Sequence, residues 1–180
     1  MAEVGALQTD ADIKRWENSL YGRNRLLVTI GISFGLRISD LLKIKVGDLR
    51  GKTSLDIREQ KTDKPRTITF NKKVIAAAKT LEGEDSDYIF ASRKGGNKPI
   101  STTQAYRILK DGADRAGLSA KVGAIGTHSL RKSFARKLYR SGYKLPEIMN
   151  ILGHSSEAMT LRYIGITKEN VAVAYKAIDW

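Results

Sequence analysis

Ser54-Leu55-Asp56-Ile57-Arg58-Glu59-Gln60-Lys61-Thr62-Asp63-Lys64-Pro65-Arg66-Thr67-Ile68-Thr69-Phe70 is the stretch where the periodicity of the chain changes. Ser54 to Arg58 and Arg66 to Phe70 alternate apolar and polar positions, with Leu55 and Ile57 in the first run matched by Ile68 and Phe70 in the second. Period two over runs this short predicts two strands with one face on a core. The connector Glu59 to Pro65 is polar and ends in proline, so the segment reads as an antiparallel hairpin with a basic tip.

Outward from the hairpin the pattern is helical. Upstream, Thr9 or Asp10 can cap a helix from about Ala11 to Leu20, stopped by Gly22. Arg25 to Leu36 is apolar over about three turns and predicts a buried helix. Ser39 to Val46 predicts another short one. Downstream, Asn71 can cap a helix to about Leu81, Asp87 to Ala91 suggests a third short strand, and Arg93 to Pro99 is a glycine-rich loop. Further helices are expected from Ser101 or Thr102 to Ala116, from Ser129 to Arg140, from Pro146 to Gly153, from Ser155 or Ser156 toward Tyr163, and from Thr167 onward. The fold class is mainly α with a small antiparallel β-sheet, an α+β domain over residues 11–180 preceded by a leader or linker remnant, residues 1–10.

The chain has 180 residues, 41% of them hydrophobic, which suffices for one core without staples. It contains no cysteine, which excludes disulfide scaffolds, zinc ribbons and thiol catalysis. No run approaches the roughly 20 apolar residues of a membrane span, and no signal peptide is visible, so a cytoplasmic protein with no membrane partner is expected. With 32 Lys and Arg against 19 Asp and Glu the net charge is +13, which points to a polyanionic partner. The basic residues are concentrated: Lys121 to Lys144 and Ile89 to Lys110 contain no acid. Lys64, Arg93, Lys94, Lys98 and Lys132 are the expected contacts to a phosphate backbone. The acids Glu82, Glu84, Asp85 and Asp87 share one short loop with Gly83 and read as a solvated turn, so no metal or other cofactor is expected. No phosphate-binding loop of the ATPase type occurs.

Four further elements carry chemistry. Gly35-Leu36-Arg37-Ile38-Ser39-Asp40 places an arginine where the buried helix ends. Thr127-His128-Ser129-Leu130-Arg131, Leu152-Gly153-His154-Ser155 and Thr160-Leu161-Arg162-Tyr163 follow in that order, and the only two histidines both fall in them. This ordered set, with nine residues from His154 to Tyr163 and a lysine on the hairpin, resembles the tyrosine recombinase (phage integrase) family from Arg37 to Tyr163. The resemblance implies a catalytic domain for site-specific DNA recombination, by integration or excision, without ATP. Tyr163 would be the nucleophile, forming a covalent 3′-phosphotyrosyl link and freeing a 5′-hydroxyl.

Attack on a phosphodiester builds negative charge on the non-bridging oxygens, which the guanidinium forks of Arg37 and Arg131 suit. A phenol with an ordinary pKa of about 10 needs help in losing its proton. His128 is the candidate base and also a candidate donor to the phosphate, while His154 contacts the phosphate and steadies the site. Lys61, or Lys64 if the hairpin register differs, is the candidate acid for the leaving 5′-oxygen. Asp40 is a candidate acceptor that buttresses Arg37 or its neighbours. Type IB topoisomerase-like nicking and closing uses the same chemistry, and a non-catalytic DNA-binding regulator could use the same fold. The implied partners are double-stranded DNA, further copies of the chain in a tetramer, and an accessory DNA-bending protein. Only 36 residues precede Arg37, so a naturally short member or a catalytic fragment is expected.

Overall fold

The computed structural model describes residues 5–59 and 65–165. Lys61 and Lys64 on the hairpin tip, and the helix expected from Thr167, lie outside the described residues. The helices are α1 (Asp10–Asn18), α2 (Gly22–Phe34), α3 (Ile38–Leu41), α4 (Val46–Leu49), α5 (Lys72–Ala78), α6 (Thr102–Arg115), α7 (Ser119–Val122), α8 (Thr127–Arg140), α9 (Leu145–Leu152) and α10 (Glu157–Ile164). The strands are β1 (Ser54–Arg58) and β2 (Pro65–Thr69), paired antiparallel.

The helix boundaries follow local chemistry. The side chains of Thr9, Asn71, Ser101 and Ser156 each accept a hydrogen bond from a backbone N–H three residues on, so each satisfies one orphan donor of the helix that it starts. Helix α2 buries Leu27, Val28, Ile30, Ile32 and Phe34 and is the centre of the main core, with α1, α5, α6 and α8 packed around it. A Cβ at Gly31 would come within 2.7 Å of the Leu130 side chain, so glycine lets α2 approach α8 closely. Gly35 ends α2 in the left-handed region at φ 59°, with Phe134 packed where a side chain would stand. That turn delivers Arg37 to the start of α3.

In the hairpin Leu55 pairs with Ile68, Ile57 with Arg66 and Arg58 with Pro65. The inner face therefore carries Leu55, Ile57 and then Glu59 along one strand, with Arg66, Ile68 and Phe70 along the other. Leu55, Ile68 and Phe70 are buried, and Phe70 stacks on Phe34 at 5.5 Å between ring centroids. A second, smaller cluster lies between α8, α9 and α10, where Ala135, Ile148, Leu152 and Ile164 are buried with Phe134, Leu138, Leu145 and Tyr163 against them.

Four expectations differ. The single helix over Ser39 to Val46 is instead α3 and α4, because Lys45 bridges to Tyr88 and the Val46 N–H donates to the Asp87 carbonyl (2.8 Å). That bridge, with a second at Ala91 and Pro99, replaces the expected third strand. Helix α7 was not expected. In the stretch read as a leader, Leu7 is buried and its N–H donates to Ser133 Oγ (2.9 Å), while the Gly5 N–H donates to the Ala124 carbonyl (2.8 Å) and Asp10 already belongs to α1.

Candidate active site

Arg131 stands one turn into α8 and is only 4% exposed. Its guanidinium donates to the carbonyl of Gly35, at the end of α2, and to that of Leu152 (2.6 Å), at the end of α9. Both carbonyls are helix-terminal acceptors left without an intrahelical partner, so one cation closes two helix ends and is fixed by doing so. Arg37, partly exposed, lies across the same junction and forms an ion pair through Nη1 with Glu59 Oε2.

The histidines are set by their helices. His128 is exposed on the first turn of α8, three residues before Arg131 and so on the same side of the helix. Loss of water around its ring, then the charges of Arg131, Lys132 and Arg37, hold its pKa below the ordinary value. His154 follows the left-handed Gly153 that ends α9, and its Nδ1 lies 3.0 Å from the Oγ1 of buried Thr160. Partial burial and then Arg131 and Arg37 lower its pKa too. Both imidazoles are therefore neutral at pH 7, which is the state a proton acceptor needs.

Tyr163 is carried on α10, half-buried, with its ring edge-on to that of His154 at 5.0 Å between centroids. Burial pushes its pKa above the ordinary phenol value, while Arg131 and Arg37 pull the other way and Arg131 hydrogen-bonds the phenol. The hydroxyl thus stays protonated at neutral pH, yet stands beside both guanidinium groups. Arg136 Nη1 donates to the carbonyl of Ile164 (3.0 Å), one residue past Tyr163, and holds the end of α10 on α8.

Arg37, His128, Arg131, His154 and Tyr163 are brought to one place. Asp40 is buried beneath the hairpin, at a small cavity that Ile44, Leu55 and Ile57 also line. The carboxylate on Arg37 is that of Glu59, which sequence reasoning had left in the polar connector. The signal for it was there: Glu59 continues the alternation of Leu55 and Ile57 onto the inner face. Lys132, an expected contact to the phosphate backbone, is buried with its ammonium 5.6 Å from the centre of the Tyr163 ring, a cation–π contact beside the phenol. Arg93, Lys94 and Lys98 stay exposed on the loop before α6. Chemically, the cluster offers two fixed cationic forks, a phenol between them and neutral imidazoles to take its proton.

Comparisons with known proteins bear on the family and the fold. The chain is 37% identical over 175 residues to the "Probable integrase/recombinase YoeC" of Bacillus subtilis (strain 168), covering 96% of this chain and 94% of that one. Among solved structures, the crystal structure of XerA recombinase superposes with a TM-score of 0.74 at 22% identity, covering 98% of this chain and 64% of that one. XerH recombinase bound to a palindromic difH substrate, in a post-cleavage complex, gives 0.71 at 22% identity, covering 97% and 54%. The chain spans about half the length of several other curated relatives that it matches. A match to the model of the phage integrase family runs over residues 3–170, and on that extent the chain belongs to this family.

Proposed function

We propose that this chain is a site-specific recombinase that cleaves and rejoins duplex DNA through Tyr163. The phenol oxygen attacks the scissile phosphorus, the Tyr163 O–P bond forms, and the bond from phosphorus to the 5′-oxygen breaks. The phenol proton passes to His128, and the departing 5′-oxygen takes a proton from Lys61 on the hairpin. Arg37 and Arg131 bind the non-bridging oxygens as charge builds on them, with His154 steadying the site. Reversal, with the 5′-hydroxyl of another strand as nucleophile, rejoins the backbone. The phosphodiester bond is conserved in the tyrosyl ester, so no nucleotide cofactor is consumed.

The observation that carries this reading is the convergence of the Tyr163 phenol with Arg131 and Arg37 within one chain. Duplex DNA is the partner, held by the charge excess of the protein, and four copies of the chain would form the synapse in which strands are exchanged. The test is incubation with nicked suicide duplexes drawn from a randomised pool, followed by denaturing electrophoresis. A covalent protein–DNA adduct is expected that Tyr163→Phe abolishes. DNA binding with no adduct from any duplex would sink the catalytic reading and leave a DNA-binding regulator. Plasmid relaxation without exchange between two sites would favour nicking and closing.

A further inference from the structure

The carboxylate of Glu59 lies inside a cluster built to receive an anion. The side chain is 5% exposed, and both oxygens are used: Oε2 by Arg37 and Oε1 by Arg66 Nη1 at 3.2 Å. Arg66 in turn donates through Nη2 to the carbonyl of Phe34 (3.2 Å), at the end of α2. Burial alone would push this carboxyl toward its neutral form. The charges of Arg131, Arg37 and Arg66 outweigh it, and the carboxylate stays ionised.

A negative charge here opposes DNA binding, so its presence needs a reason. One is that Glu59 merely occupies the phosphate seat until DNA arrives. The geometry argues otherwise. Glu59 reaches the site along the inner face of β1, its second oxygen is anchored by Arg66, and it takes only Nη1 of Arg37. The Nε and Nη2 edge of Arg37 carries no hydrogen bond among the described residues, and that edge is the one left to receive a non-bridging oxygen. A side chain with four bonds after its backbone also needs a fixed partner to hold one rotamer at a partly exposed position.

We infer that Glu59 is a positioning residue for catalysis: with Arg66 as its anchor, it holds the Arg37 guanidinium so that the free edge of that fork meets the scissile phosphate. The inference rests on the proposed function of the same site. It predicts opposite effects on binding and on cleavage. The isosteric Glu59→Gln removes a negative charge beside the DNA, so affinity for an uncleavable duplex stays equal or rises by about 3-fold. Single-turnover cleavage falls by about 10- to 100-fold, the scale on which a misplaced catalytic group slows a reaction. Glu59→Asp, which keeps the charge but shortens the reach, recovers part of the rate.

The decisive substrate is a duplex with a methylphosphonate at the scissile position, which lacks the charge on one non-bridging oxygen. A correctly aimed arginine contributes less there, so the Glu59→Gln defect should shrink to about 3-fold or less. A defect unchanged on methylphosphonate but relieved by a 5′-thio leaving group would overturn the inference, because Glu59 would then act through the hairpin lysine. Faster cleavage in Glu59→Gln would overturn it as well, showing a competitor of the phosphate. Arginine-selective ¹⁵N NMR tests the positioning without any activity, with Arg37→Ala for assignment. Rotation about the Arg37 guanidinium bond should be slow in the parent chain and fast in Glu59→Gln. Equal mobility in both would reject the inference even if the parent chain cleaves DNA, whereas a parent chain without adduct rejects the proposed function and leaves the NMR arm to decide this one.

Discussion

The two sides of the active site are built differently. On one side Arg37 starts α3, partly exposed, and Arg131 is buried in α8, next to Phe34, Leu36, Leu41 and Leu130 of the main core. On the other, the nucleophile side of the proposed reaction, Tyr163 rides on the eight-residue α10, which rests on the small cluster of Ala135, Ile148, Leu152 and Ile164. Stabilising a developing charge needs donors that do not reorganise during reaction, which burial gives to Arg131 and the Glu59 ion pair to Arg37. The proposed nucleophile sits instead on an element with less apolar contact, which is expected to open at lower free energy. Arg131 joins the two sides, since it binds the end of α2, the end of α9 and the phenol.

The largest effect should come from cutting that joint. Arg131→Ala leaves two helix-terminal carbonyls without their charged donor, a loss of about 3 kcal/mol, and removes a charge stabiliser, a loss of about 10²- to 10³-fold in cleavage. Denaturant unfolding and adduct yield measure the two effects separately. Arg131→Lys restores one charge but not both carbonyl bonds together, so activity should stay low. An Arg131→Ala chain as stable as the parent would mean that the two sides are not joined there.

The next prediction separates the sides by their opening. Leu109→Ala, in the main core, should cost about 2–5 kcal/mol of global stability and reduce amide protection throughout. Ile164→Ala removes a side chain of similar size from the small cluster, yet its loss of protection should be confined to α9 and α10. Native-state hydrogen exchange of the two variants gives the contrast. Uniform loss of protection in Ile164→Ala would show that the small cluster unfolds only with the whole domain.

The pH dependence comes third. His128 and His154 have folded pKa values below the ordinary imidazole value, so the unfolded chain binds more protons just under about pH 6.5. Stability is therefore fully present above that pH and declines as pH falls through the window, and cleavage should decline with it as the acceptor becomes protonated. Above pH 7 cleavage by the parent chain should be level. In His128→Gln it should instead climb with pH toward the ionisation of Tyr163, whose pKa lies above the ordinary phenol value. A level profile in His128→Gln would remove His128 as the base.

What was legible in the sequence was whatever is settled within a few residues. The caps (Thr9 or Asp10, Asn71, Ser101 or Thr102, Ser155 or Ser156), the glycine that ends α9 and the alternation of the hairpin are local patterns, and Thr9, Asn71, Ser101 and Ser156 take the capping role. The five clustered site residues were legible through the ordered resemblance, because no single element identifies a site. What failed depends on distant partners. Val46 leaves the expected helix because Asp87 takes its N–H. The burial of Lys132 under the Tyr163 ring likewise depends on α10, a distant element. Glu59 reads as loop by its polarity and as strand by its parity, and the two arginines that settle its place come from different elements.

The smallest predicted effect tests how firmly the nucleophile side is held. Thr160 is fully buried on α10, one turn before Tyr163, and its Oγ1 meets His154 Nδ1 at 3.0 Å. That bond fixes the His154 ring, which meets the Tyr163 ring edge-on. Thr160→Val keeps the volume and removes the hydroxyl, so its donation to the Ser156 carbonyl (3.3 Å) is lost together with the His154 bond, the latter worth about 1 kcal/mol, and Nδ1 is left beside a methyl group. Adduct formation should slow by about 5-fold, the same free energy expressed as a rate. The variant should leave the unfolding midpoint of the main core nearly unchanged and shift the His154 ring resonances. If cleavage is untouched while those resonances move, the orientation of His154 does not limit the reaction, and the hold of Arg131, Arg136 and the small cluster on α10 suffices.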